Sequence, residues 1–241
     1  MNQQSPAPLV VGHRGAPAHA PENTLAAFRR AIEDGAHLLE CDVHLSADGE
    51  VVVMHDETID RTAAPDSPLR SGAIGDLTRA ELDAVRLEAG ERVPSLTELL
   101  EMSTVPLFIE VKVAGAGEAV AALLAQLAVE SPSKASTVIS FHAEALEAIR
   151  RGSPETPVSY LVGQVTEDAV RTALDLGAAG IGPAIDGLSL RAAHAVREAG
   201  LRLNPWTVNT PQQLAVALAC GVDAITTDDP AWLQHELDVR S

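Results

Sequence analysis

Aromatic side chains make up 2 % of this 241-residue sequence, cysteine occurs twice, and lysine and arginine form no run. Each shortage excludes something. Cys41 and Cys220 lie far apart and fit no metal-binding spacing, so both read as buried thiols of a reduced compartment. A formal net charge of −17 without a basic cluster argues against a nucleic-acid partner and against docking on anionic lipid. Any anionic substrate must then be met by a local cation. No apolar stretch approaches the roughly 20 residues of a transmembrane helix. The opening MNQQSPAPL has neither the basic region nor the apolar region of a secretory leader, and the expected location is cytoplasmic.

What is present is a hydrophobic content of 46 %, ample for a sizeable core, in a chain of the length of one (β/α)8 barrel. One domain over residues 1–241 is expected. Apolar runs mark strands at 10–13, 38–43, 51–55, 107–112, 138–142, 158–162, 179–182, 203–208 and 224–227, one more than an eight-stranded barrel needs. The link Ser46-Ala47-Asp48-Gly49-Glu50 is too short for a parallel crossover and suits a hairpin. The run at 51–55 is therefore a return arm outside the eight, and it carries His55 back beside Asp42. Helical patterns alternate with the remaining strands, which predicts a parallel sheet closed into a TIM barrel. Asn23 or Thr24 caps the first helix, and Ser95 with Glu98 forms a capping-box signature. Residues 57–93, polar and turn-rich with a short helix at 80–87, form an insertion over the barrel mouth. Asn204-Pro205 predicts an irregularity in the strand at 203–208, because proline cannot donate to a ladder.

The stretch from His13 to Asp56 places two histidines, an arginine and paired acids at strand ends, where α/β enzymes keep their chemistry. Period-2 alternation sets Glu40, Asp42 and His44 on one face of the second strand, and Glu110 and Lys112 on one face of a later one. Three converging carboxylates repel unless a cation lies among them, and an all-oxygen set suits one divalent ion, Mg2+ or Ca2+. As ordinary surface acids they would avoid strand interiors. His13 and His55 are candidates for general acid and general base. Arg14 offers a planar fork for phosphate oxygens and Lys112 a point charge. Together these groups match the needs of phosphoryl transfer. Trp206, Phe141 and Tyr160 are the few aromatics available to meet a substrate, and His142 either reaches the mouth to touch substrate or has a structural role. His19 and His44 are assigned no chemistry, and His37, His194 and His235 read as surface residues.

The ordered strings GHRG, PENT, ECDVHLSADGEVVVMHD, EVK, SFH, WTVNT and ITTDDP resemble the glycerophosphodiester phosphodiesterase family over nearly the whole chain. The resemblance implies a (β/α)8 barrel that hydrolyses glycerophosphodiesters, with a divalent metal, to sn-glycerol 3-phosphate and an alcohol. It implies catalytic roles for His13 and His55, metal ligation by Glu40, Asp42 and Glu110, phosphate contacts from Arg14 and Lys112, and a pocket-lining role for Trp206. One histidine would deprotonate the attacking hydroxyl, from water or from the glycerol 2-position, while the other protonates the leaving alcohol. The insertion departs from the family in lacking aromatics. Two rival readings are a lysophospholipase D-type enzyme on the same scaffold, which needs an apolar ramp, and a non-catalytic phosphodiester-binding barrel.

Overall fold

The computed structural model describes residues 7–130 and 136–240; Met1 to Pro6, the start of MNQQSPAPL, lie outside them. The strands are β1 (Leu9–Gly12), β2 (Leu38–Leu45), β3 (Val51–Val53), β4 (Leu107–Val111), β5 (Thr137–Ser140), β6 (Val158–Val162), β7 (Gly180–Pro183), β8 (Arg202–Leu203) and β9 (Ala224–Thr227). All but β3 are parallel, in the spatial order β8-β7-β6-β5-β4-β2-β1-β9. The seam between β8 and β9 is crossed by Asp223 N–H to the Leu203 carbonyl at 2.9 Å and Thr226 N–H to the Pro205 carbonyl at 3.1 Å. The eight strands thus form the expected TIM barrel. β3 pairs antiparallel with β2, Val43 opposite Val53, and is the hairpin arm inferred from the short link.

The helices between strands are α1 (Leu25–Glu33), α2 (Arg79–Asp83), α3 (Leu96–Met102), α4 (Gly117–Glu130), α5 (Ala143–Gly152), α6 (Glu167–Asp175), α7 (Leu190–Glu198), α8 (Pro211–Cys220) and α9 (Pro230–Asp238). Among the described residues no helix is long and apolar enough to cross a membrane. Alternation along β2 sends Leu39, Cys41 and Val43 outward to pack with Phe28 and Ala31 of α1, and leaves the polar residues for the interior. Inside the barrel, Val11, Phe108, Ile139, Leu161 and Ala224 form a small apolar layer. Cys41 and Cys220 are both free and buried, as expected.

Of the two candidates for the cap of α1, Thr24 fills the role, accepting from Ala27 N–H at 3.2 Å. Two strand bounds are corrected. The strand expected at 203–208 shrinks to Arg202–Leu203, because Pro205 has no N–H; a single bridge from Trp206 to Ala184 resumes the pairing beyond it. The strand expected at 138–142 stops at Ser140, whose hydroxyl donates to the Val111 carbonyl at 2.7 Å and accepts from His142 N–H at 3.0 Å. The segment at 57–93 also has more apolar content than its polarity implied. Ile59, Ile74, Leu82, Val85, Leu87 and Val93 bury themselves against Val52 and Met54 of the hairpin.

Ser95 and Glu98 do form a capping box at α3, with Glu98 N–H donating to Ser95 Oγ at 3.1 Å and Ser95 N–H donating to Glu98 Oε2 at 2.8 Å. Ser95→Ala therefore costs about 1 kcal/mol, lowering Tm by roughly 2–4 °C in a thermal melt with turnover unchanged.

Candidate active site

The loop after β1 makes a tight turn: Arg14 and Gly15 have φ of 52° and 88°. A Cβ on Gly15 would lie 2.5 Å from the Ala27 backbone carbon, so glycine alone allows the loop to press against α1. The turn aims the Arg14 N–H inward, where it donates to Glu40 Oε2 at 2.9 Å. The register of β2 on β4 sets Asp42 opposite Glu110 and brings three carboxylates to one point. One oxygen each from Glu40, Asp42 and Glu110 lie within 4.8 Å of one another.

Burial, together with the charges of Asp42 and Glu110, pushes Glu40 well above the usual carboxylate range. Burial and Asp42 likewise raise Glu110. Asp42 is buried too, yet Lys112, Arg14 and the hydrogen bond from Asn23 outweigh that and hold it below its ordinary value. Lys112 Nζ lies 2.8 Å from Glu110 Oε1 and 3.3 Å from Asp42 Oδ1. Arg14 Nε is 3.2 Å from Asp42 Oδ2, but it is buried without a well-aligned acceptor among the described residues. Buried acids that disfavour one another's ionised forms, with an orphaned guanidinium N–H beside them, form an oxygen cage that suits a hard divalent cation better than a structural ion pair.

His13 and His55 both line the space that Glu40 and Glu110 of this cage face. Asp228 Oδ1 accepts from His13 Nδ1–H at 2.6 Å, and Asp56 Oδ1 accepts from His55 Nδ1–H at 2.7 Å. Each carboxylate has its own anchor: Asn209 Nδ2 donates to Asp228, and Arg61 Nε donates to Asp56 at 2.6 Å. Hydrogen bonds from Arg61 outweigh burial and hold Asp56 well below the usual carboxylate range. Buried His44 reaches the His55 carbonyl through Nε2 at 3.1 Å and fixes its backbone. Both imidazoles therefore have Nδ1 engaged and Nε2 left for the cavity.

That cavity, about 210 Å³, is lined on one side by His13, Arg14, Glu40, His55, Glu110 and Lys112, and on the other by Phe108, Ile139, Phe141, Leu161 and Trp206. Phe141 and Trp206 meet edge to face, ring centroids 5.5 Å apart. Trp206 is fixed by its Nε1–H donating to the Gly182 carbonyl at 2.9 Å. His142 stands exposed before α5 and does not line the cavity. His37, His194 and His235 are exposed, as expected.

Asp56, Asp228, Asn209 and Arg61 escaped the reading of residue types, although HD, TTDD and WTVN contain the first three. Asn23 has a role beyond the helix end: buried at φ 55°, it donates to Asp42 Oδ2 at 2.9 Å and accepts from Asp42 N–H at 3.3 Å. Glu22 accepts from both Arg14 and Arg61.

A parallel barrel whose mouth joins an oxygen cage, two carboxylate-anchored imidazoles and two cationic side chains holds the groups that hydrolysis of a phosphoric diester requires. The family model described as the glycerophosphoryl diester phosphodiesterase family matches residues 13–232. The chain is 31 % identical over 235 residues to the glycerophosphodiester phosphodiesterase of Caldanaerobacter subterraneus subsp. tengcongensis, covering 93 % of this chain and 96 % of that one. An Oleispira antarctica phosphodiesterase solved in complex with the product sn-glycerol-3-phosphate matches with a TM-score of 0.86 and 27 % identity, covering 96 % of this chain and 97 % of that one. A Thermotoga maritima glycerophosphodiester phosphodiesterase matches with a TM-score of 0.77 and 28 % identity, over 95 % and 98 % of the two chains. The chain belongs to the glycerophosphoryl diester phosphodiesterase family.

Proposed function

We propose that this protein hydrolyses glycerophosphodiesters to sn-glycerol 3-phosphate and an alcohol, using His13 and His55 as proton carriers and a divalent ion, Mg2+ or Ca2+, held by Glu40, Asp42 and Glu110. The observation that carries this reading is the pair of imidazoles, each with Nδ1 engaged by a carboxylate, facing one cavity with Glu40 and Glu110, behind which Asp42 completes the acid cluster. Binding alone needs no paired proton carriers; transfer of a phosphoryl group does. The Oleispira relative, solved with sn-glycerol 3-phosphate, supports the same product here.

Arg14 and Lys112 supply positive charge for the non-bridging phosphate oxygens, since both line the cavity beside the acids. One imidazole takes the proton of the attacking hydroxyl through Nε2, and the other gives its Nε2 proton to the oxygen of the departing alcohol. Asp228 and Asp56 keep Nδ1 protonated throughout and stabilise each ring when it is cationic. Glu40, Asp42 and Glu110 would hold the divalent ion, which would supply positive charge for neutralising the phosphate and for lowering the pKa of a hydroxyl. The apolar wall of Phe108, Ile139, Leu161 and Trp206 accommodates carbon-bound surface of the substrate, with Phe141 at its exposed rim. We read residues 1–241 as one barrel domain, with 57–93 as its insertion.

A panel of glycerophosphodiesters and the corresponding lysolipids, assayed with Mg2+, Ca2+ and Mn2+, tests the reading. Release of sn-glycerol 3-phosphate from at least one glycerophosphodiester is expected. Turnover of lysolipids alone reassigns the substrate, and affinity without turnover under every metal condition removes the enzymatic reading.

A further inference from the structure

Arg61 lies on the insertion at 57–93, yet its side chain reaches into the hydrogen-bond network around two cavity-lining residues, His55 and Arg14. Its Nε and Nη2 donate to Asp56 at 2.6 and 3.1 Å, and its Nη1 and Nη2 donate to Glu22 at 3.0 and 2.7 Å. Asp56 in turn engages His55 Nδ1 at 2.7 Å, and Glu22 engages Arg14 Nη1 at 3.1 Å. One guanidinium thus fixes two carboxylates, and each carboxylate orients a different group facing the cavity.

We infer that Arg61 is a positioning residue for the hydrolytic reaction: it sets His55 through Asp56 and Arg14 through Glu22, and so ties the insertion to the chemistry. The inference rests on the role proposed for His55. Arg61 has a side chain that is 50 % exposed, and ion pairs this open contribute little to stability. The segment keeps its shape by other means, with Ile59 fully buried and Ile59 N–H donating to the Gly72 carbonyl at 3.1 Å. The bonds of Arg61 are better explained by geometry: a rigid fork with donors on two edges makes four hydrogen bonds to two carboxylates at once, which an ammonium group with three donors cannot do. Without the fork, Asp56 is free to rotate away from His55, and a displaced imidazole loses alignment with the reacting oxygen.

The test compares Arg61→Ala, Arg61→Lys, Asp56→Asn and their combination in metal-supplemented enzyme. Arg61→Ala is expected to lower kcat by about 10- to 100-fold with the melting temperature nearly unchanged. Arg61→Lys recovers little of the loss, and guanidinium ion at sub-denaturing concentration partly restores Arg61→Ala without stimulating the unmodified enzyme. Arg61→Ala added to Asp56→Asn lowers kcat no further than Asp56→Asn alone, while KM still rises through the Glu22 and Arg14 arm. Wild-type kcat in Arg61→Lys, or fully additive kcat losses in the double variant, overturns the inference. If Arg61→Ala does not fold, the lysine variant decides alone. His55→Ala is the reference: wild-type activity there removes the role of His55 itself, whereas an inactive His55→Ala beside a fully active Arg61→Ala removes only the inference.

Discussion

Alanine at either His13 or His55 lowers kcat for a glycerophosphodiester with an alkyl leaving group by about 10²–10⁴-fold, the range that one positioned proton carrier contributes. Alanine at both costs little beyond the larger single loss, because the two rings serve one reaction coordinate. The basis is the symmetry of their settings. Each has Nδ1 tied to a carboxylate, Asp228 or Asp56, and each lines the same cavity. Their roles separate on a substrate whose leaving group needs no proton. With a p-nitrophenyl ester of glycerol phosphate, the variant lacking the general acid recovers most of its rate and the variant lacking the general base does not. Near wild-type turnover of the natural type of substrate by either single variant sinks the two-histidine reading.

Most of the barrel was legible because strand periodicity and turn chemistry are local. The link from Ser46 to Glu50 required a hairpin, and β3 pairs with β2 as that length demands. The carboxylate cage was legible for the same reason: alternation along β2 and β4 settles which side chains turn inward, and the register then puts Asp42 opposite Glu110. Partners that meet only through the tertiary fold carried no local signal. Asp228 reaches His13 across 215 positions and Arg61 reaches Glu22 across 39, distances at which residue type alone selects no partner. Asn23 and Thr24 show a different limit. Both residue types cap helices, and only the left-handed backbone of Asn23 diverts its amide to Asp42 and leaves the cap to Thr24.

Exhaustive chelation lowers turnover by on the order of 10³-fold, since a divalent ion supplies several kcal/mol of charge stabilisation in phosphoryl transfer, and Mg2+, Ca2+ or Mn2+ restores it. The same ion acts on stability through a linkage whose sign follows from the acids. Burial and neighbouring charge raise Glu40 and Glu110, so at these sites the folded protein binds more protons than the unfolded chain. Their contribution to stability is present below the ordinary carboxylate range and is lost as pH rises through their raised values. Near neutral pH the metal-free protein carries that penalty. A cation that binds only the folded state offsets it, raising Tm by about 5–10 °C at a hundredfold excess over its Kd. Glu110→Gln, at the more open side of the cage, tests the ligand set because it retains the side chain's size and leaves the buried pair in place. In that variant both the rise in Tm and the metal-restored activity fall sharply. A chelated enzyme that turns over at full rate, or a Glu110→Gln variant that binds one ion as tightly as the unmodified protein, removes the metal from the reading.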